Sequence, residues 1–276
     1  DSDFSATASD NQTYGDCNCF CSNFFAGNLC EQKFHSLLRH QLLVDIHSCQ
    51  RIYWLIGKKR IVNNCTSDWD AWVRVLRETA QLFGATPTTA ELYDKLYQKS
   101  LEGATDCANI LTYNYISGEP VTGLTEGRPM VVRRPDTSFT LANFLRANLY
   151  STLASLRIGM EILFRDGAKI DRLTGHGGLF KTEYVGQKYM ADAMGIPVSV
   201  METAGEGGPY GMAVLAAFSA WKTTGETLEQ YLETHVFADA NSKTVQPDEC
   251  GVAGFNAFLN AYVAGLVTEK TAVMNI

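Results

Sequence analysis

The residues with the clearest chemical potential in this chain are glycines. Gly175, Gly177 and Gly178 stand in "GHGG", between the strand-like run "KIDRLTG" and the helical pattern of "KTEYVGQKYMADAM". Gly205, Gly207 and Gly208 stand in "TAGEGG", between the buried-strand run "IPVSVM" and the helical "PYGMAVLAAFSAWK". A glycine-rich turn after a strand lets the backbone close on a ligand. Amides at the start of the next helix then offer donors to a phosphate or a ribose. If the two strands are parallel neighbours, both turns meet at the carboxyl end of the sheet, where open α/β sheets bind nucleotides. Glycine pairs also end strands for steric reasons alone, so both readings stand at this point. Neither named nucleotide motif fits. Phe180 occupies the third glycine position of a G-x-G-x-x-G fingerprint, and no G-K-S or G-K-T follows at Walker A spacing.

A second set of reactive residues is crowded at the front of the chain. Cys17, Cys19, Cys21, Cys30 and Cys49 precede Cys65, Cys107 and Cys250. Cys17, Cys19, Cys21 and Cys30 with His35 have the residue types of a zinc module, although C-x-C-x-C departs from the usual C-x₂-C pairs. The competing reading takes residues 12–60 as a frameshifted or misassembled stretch, because composition changes abruptly there. Sparse cysteine elsewhere reads as reduced thiols in a cytoplasmic setting.

The elements that must position these residues are legible from caps and periodicity. Thr66, Ser67 or Asp68 caps a helix through Phe83 that turns Trp69, Trp72, Val73, Leu76 and Ala80 to one face, and Gly84 ends it. Thr88 with Glu91 forms a capping box for "AELYDKLYQKSL". Short strands and glycine turns fill Leu111 to Arg134. A long helix from Leu141 to Phe164 has Leu141, Phe144, Leu145, Leu149, Leu153, Leu156, Met160 and Leu163 as its buried stripe. Gly195 closes one later helix, and Pro209 suits the first position of the next. Thr227 with Gln230 caps "LEQYLETHV", and a last helix covers Val252 to Val267. Upstream, "HSLLRHQLLVDIH" reads as a helix and "RIYWLI" as a strand. The alternation of strand and helix makes the chain α/β.

Composition narrows the function classes. With 276 residues, 46% hydrophobic and 19% charged, the chain has the makings of a buried core. A net charge of −7 without basic runs argues against nucleic acid or an anionic membrane surface as partner. No uninterrupted run of eighteen apolar residues is present, so no membrane span is expected. The polar start, "DSDFSATASDNQ", does not read as a signal peptide, and the chain is expected to be a fragment or a processed piece.

Four separated segments carry a specific resemblance. "NNCTSDWDAWV", "YNYISGEPVTGLTEGRP", "FTLANFLRANLYSTLASLRIGMEILF" and "GHGGLFKTEYVGQKYMADAMGIPVSVMETAGEGGPYGMAVLAAF" occur in the order and spacing of the FGGY carbohydrate kinases, in the branch described as xylulokinase-like. The resemblance covers roughly Asn63 to Val267. It implies an actin-like ATPase (ribonuclease H-like) domain: a mixed sheet flanked by helices, the carboxy-terminal half of a two-domain sugar kinase. Residues 61–276 are expected to be that ATP-binding domain, and residues 1–60 an atypical segment, frameshifted or disordered, without the family's phosphate turn. The implied reaction is ATP-dependent phosphorylation of a sugar alcohol group, with Mg²⁺. A ketopentose such as xylulose or ribulose is the implied acceptor. The general-base Asp is expected in the missing amino-terminal domain, so no catalytic residue is assigned here, and without the phosphate turn the chain alone is expected to be catalytically dead or weak. The alternative is a non-catalytic nucleotide-binding or interaction module of actin-like fold. Implied partners are the sugar, ATP and the missing domain, with a homodimer admitted.

Site residues follow from the same resemblance. Gly177 and Gly178 match the glycine pair beside adenosine, and Thr182 and Gln187 follow in the next helix. Gly207 and Gly208 border the adenine pocket from the second turn. Ser67 lies where a helix aims its amino-terminal end at the phosphates, and Ser117 and Gly118 lie in the turn at the domain cleft. His176 is expected to pack in the turn rather than to catalyse. Glu119 and Arg128 are expected at the surface or cleft with no assigned role.

Overall fold

The computed structural model describes residues 41–45, 51–55, 58–62, 64–165, 170–201, 207–238 and 242–276. A four-stranded sheet has the order β1 (Gln41–Asp45), β6 (Arg172–His176), β7 (Val198–Met201), β8 (Ser242–Val245). β1 and β7 both run parallel to β6, with Leu42 opposite Leu173 and Leu173 opposite Val198. β8 closes the other edge antiparallel to β7. Two antiparallel pairs complete the described strands: β2 (Arg51–Leu55) with β3 (Lys58–Val62), and β4 (Leu111–Tyr113) with β5 (Met130–Val132).

One upstream expectation is corrected here. Gln41–Asp45, read as part of a helix, is a strand. Its Leu-Leu-Val run suits a strand that pairs along its length with β6, and a run of that size supports either reading by periodicity alone. The strand expected over "RIYWLI" is present as β2.

Helices α1 (Ser67–Leu82), α2 (Thr89–Ser100), α3 (Leu141–Arg165), α4 (Val185–Met194), α5 (Gly207–Trp221), α6 (Leu228–Tyr231) and α7 (Glu249–Asn275) surround these strands. The local signals are where the sequence puts them. Both capping boxes form, Thr88 with Glu91 and Thr227 with Gln230, and Gly195 ends α4 at a φ of +66°. α5 starts earlier than expected, so Pro209 is its third residue. The first-turn amides of a helix have no intrahelical acceptor, so a proline there removes no helical bond. α7 extends past Val252–Val267 at both ends, and Asp248 caps it through the Gly251 amide.

The core is organised around α3. Leu145, Leu149, Leu153 and Leu156 are fully buried, while the first residue of the expected stripe, Leu141, is exposed at the helix end. Burial extends beyond a stripe: Asn143, Arg146, Asn148, Ser151, Thr152 and Ser155 are buried as well. α3 satisfies some of these on its own carbonyls and others on neighbouring segments, as where Arg146 donates to the Gly103 carbonyl at 2.7 Å. Ser151 and Thr152 donate to the carbonyls of Asn148 and Leu149 at 2.8 and 2.7 Å. Tyr150 joins α3 to its neighbours, with ring centroids 5.2, 4.9 and 5.5 Å from Tyr189, Phe255 and Phe258. α7 is long and apolar enough to cross a membrane by length and composition. Its Phe255, Phe258 and Tyr262 are buried within the protein, with contacts to α3 and α4.

Candidate functional site

The parallel pairing of β6 and β7 brings their carboxyl ends to the same edge of the sheet. Gly177 and Gly178 follow β6 directly, and Gly207 and Gly208 form the first turn of α5 after β7. The rest of the second glycine run, residues 202–206, lies outside the described residues. β8 begins opposite Met201, so Ser242 and Lys243 border the same edge.

The glycines of the first turn have different reasons to be glycine. At Gly175 an added Cβ would collide with the outer edge of the Phe180 ring, 2.7 Å from both of its Cε atoms, so packing demands glycine. Gly177 has a φ of +102°, which side-chain-bearing residues rarely adopt. Gly186, on α4, is pressed against Leu179, whose Cγ would be 2.8 Å from an added Cβ. Gly178 alone in this turn is demanded by neither: a Cβ there would meet nothing, and its φ is not in the left-handed region. It is exposed, and the turn Gly178–Phe180 anchors behind it through buried Leu179 and Phe180.

Thr182 and Gln187 are both buried. Thr182 does not cap α4, because Tyr184 holds that position, at a φ of +72°. Gln187 donates both amide hydrogens to backbone, at 2.7 Å to the Val198 carbonyl and 2.6 Å to the Lys243 carbonyl. It ties α4 to β7 and β8 and thereby fixes the helix behind the glycine turn. At the rim, exposed Lys243 pairs with exposed Glu183. The Lys243 ammonium holds the Glu183 carboxyl below its ordinary value.

A second group of expected residues is gathered elsewhere. Ser67 opens α1, and Ser117 and Gly118 follow β4. Asn64 connects them. Its Oδ1 accepts from the amides of Ile116 and Ser117 and from the Ser117 hydroxyl, at 3.0, 3.1 and 3.2 Å. Its Nδ2 donates to the Ser117 carbonyl and to Glu119 Oε2, and its own amide donates to the same Oε2. Glu119 is fully buried, which corrects its expected place at the surface; the Asn64 donors supply the polar partners that burial requires. Arg128 is partly buried and gives its amide to Glu269 of α7 at 2.6 Å. Glycine at 118 is demanded by the fold, since a Cβ would lie 2.7 Å from the Thr125 carbonyl carbon. Thr66, before α1, makes no side-chain cap. The first turn of α1 carries Asp68 and Asp70, whose carboxyls are pushed above the ordinary range by burial.

Asn64 and Glu119 were not picked out as site residues from the sequence. The available signal was a polar Asn just ahead of a helix start and an acid between Gly118 and Pro120, and only the fold pairs them. Among the described residues, no three His, Cys, Asp or Glu side chains converge as metal ligands. The Cys17, Cys19, Cys21, Cys30 and His35 reading lies outside the described residues.

Comparison with known proteins agrees with this architecture. The pattern of the FGGY family of carbohydrate kinases, C-terminal domain, matches residues 54–220. A xylulose kinase of Haemophilus influenzae is 28% identical over 188 residues, covering 66% of this chain and 36% of that protein. The crystal structure of xylulose kinase from Rhodospirillum rubrum superposes with a TM-score of 0.59 at 14% identity, covering 83% of this chain and 47% of that one. The Plasmodium falciparum glycerol kinase with ADP gives a TM-score of 0.56 at 12% identity over the same shares. The chain thus spans about a third to a half of the length of these proteins. With the actin-like fold of those structures and a family match over more than half its length, the chain belongs to the FGGY family of carbohydrate kinases, whose C-terminal domain it carries.

Proposed function

We propose that this chain supplies the nucleotide-binding half of an ATP-dependent sugar kinase. Gly177 and Gly178 receive the adenosine, with Gly207 and Gly208 opposite them at the end of β7. Thr182 lies near the base, and Gln187 holds α4 behind the turn. Ser67, Ser117 and Gly118 stand toward the phosphates, and the unit extends over residues 61–276. The observation that carries the reading is Gly178: nothing within the described fold requires glycine there, whereas a ligand lying on the backbone would.

Phosphoryl transfer of this kind is positioning and charge stabilisation. Mg²⁺ is commonly held by one or two carboxylates together with the substrate phosphates, and supplies charge neutralisation there. The described residues offer no cage of three ligands for it, so no step is assigned to a metal-binding side chain of this chain. The acceptor is a sugar hydroxyl, with a ketopentose such as xylulose or ribulose as first choice. The amino-terminal half found in longer relatives would supply most of the sugar site and the general base. The setting that suits such chemistry is cytoplasmic.

Calorimetry of the full chain with MgATP tests the reading. One-to-one binding is the expected result, and absence of binding at millimolar ATP overturns it. ADP release in the presence of xylulose is expected to be absent for this chain alone and to appear when an amino-terminal half is supplied in trans. Binding without transfer under both conditions would favour a non-catalytic nucleotide-binding module.

A further inference from the structure

Three donors converge on one oxygen at Asn64. An amide oxygen has two lone pairs. The Ile116 and Ser117 amides reach Asn64 Oδ1 at 3.0 and 3.1 Å, and the Ser117 hydroxyl reaches it at 3.2 Å. The two backbone donors are fixed by the turn. The hydroxyl is the longest of the three, it rotates about its Cα–Cβ bond, and it belongs to an exposed residue. It is therefore a surplus donor, and Asn64 stays satisfied when it leaves.

Asn64 itself cannot follow. It is 2% exposed, and its other polar atoms are committed to the Ser117 carbonyl at 3.1 Å and to Glu119 Oε2 at 3.3 Å. Asn114 secures the neighbouring segment by donating to the Cys65 carbonyl at 2.6 Å. The 116–119 turn is thus a rigid frame with one mobile donor at its surface. We infer that the Ser117 hydroxyl is handed from Asn64 to a phosphate oxygen of the bound nucleotide, with Asn64, backed by Glu119, as the positioning residue. The inference rests on the nucleotide reading above and names the donor within it. Donation to an anionic phosphate is a charge-assisted bond, stronger than the neutral one it replaces.

The test compares ATP with adenosine on the full chain by calorimetry, alongside thermal melting. Ser117→Ala is expected to weaken ATP by about tenfold, the worth of one hydrogen bond to a charged group. It should leave adenosine affinity and melting temperature unchanged, because Asn64 keeps two amide donors. Asn64→Asp sets a second carboxylate against Glu119 and is expected to lose the preference for ATP over adenosine. Glu119→Gln keeps an oxygen to accept from the Asn64 amides and is expected to retain that preference. Equal loss of ATP and adenosine affinity in Ser117→Ala, or no loss of either, overturns the inference. So does loss of the preference in Glu119→Gln when it melts like the wild type. Wild-type protein that binds adenosine as tightly as ATP also overturns it, while leaving the adenosine site intact. Wild-type protein that binds neither ligand removes the nucleotide reading itself, and the donor assignment with it.

Discussion

Gly178→Ala and Gly175→Ala, in the same turn, should fail in opposite ways. At Gly178 the new methyl meets no protein atom and the backbone is compatible with alanine. Replacing glycine at a compatible position stabilises a protein by about 0.4–1 kcal/mol, chiefly by restricting the unfolded chain. The melting temperature should then hold or rise by about 1–4 °C for a domain of this size. On the nucleotide reading the same methyl intrudes on adenosine. Overpacking of a close contact costs about 1–3 kcal/mol, so ATP affinity should fall by roughly 5- to 150-fold. At Gly175 the methyl instead collides with Phe180, 2.7 Å from both Cε atoms, and Phe180 is only 8% exposed, so the ring has little room to swing away. The same range of about 1–3 kcal/mol is then lost from the fold, lowering the melting temperature by roughly 2–10 °C. Thermal melting by circular dichroism and ATP calorimetry on both variants separate the two effects. If Gly178→Ala melts as low as Gly175→Ala, or binds ATP as tightly as the wild type, the claim that Gly178 is glycine for a ligand is wrong.

Three further perturbations follow from the hydrogen bonding. Gln187→Met removes the donors that reach the Val198 and Lys243 carbonyls, at about 1–3 kcal/mol for each orphaned acceptor, and urea unfolding should report a loss in that range even without nucleotide. Thr88→Ala breaks the capping box of α2 and should cost about 1 kcal/mol by the same measurement, with ATP affinity unchanged. Burial pushes the Glu269 carboxyl above its ordinary value. The native state therefore keeps that proton over a range of pH in which the unfolded chain has released it. Stability contributed by this group is full below the ordinary carboxylate range and is lost as pH rises through the raised value. Glu269→Gln should flatten the decline in unfolding free energy as pH rises through and above the ordinary carboxylate range, in part only, because Asp68 and Asp70 are raised by burial too.

Most of what the sequence made legible lies within a few residues of itself. Thr88 bonds Glu91 and Thr227 bonds Gln230, so each capping box is written in four consecutive letters. The sequence left the parallel neighbourhood of β6 and β7 as a condition for the two glycine turns to meet, and the register satisfies it. The features that were missed depend on distant partners. Asn64 and Glu119 are 55 positions apart, and Gln187 and Lys243 are 56 apart. β1 was misread because its pairing with β6, far along the chain, decides what a five-residue apolar run becomes.

The same distance explains why glycines mislead as functional markers. Gly118 is glycine because the Thr125 backbone crosses it, Gly127 because the Tyr115 backbone does, and Gly186 because Leu179 does. In the sequence all three look as available to a ligand as Gly178. Only the fold supplies the neighbours, and each neighbour gives one glycine a reason to be glycine that needs no ligand. What stays unexplained after that subtraction is informative: a glycine that packing and dihedral angle would both let be alanine. Gly178 meets that condition just past the carboxyl end of β6, beside its parallel neighbour β7. Open α/β sheets bind their ligands outside the carboxyl ends of their parallel strands. A free methyl position at that end of the sheet is therefore a stronger pointer to a bound ligand than the glycine-rich run around it.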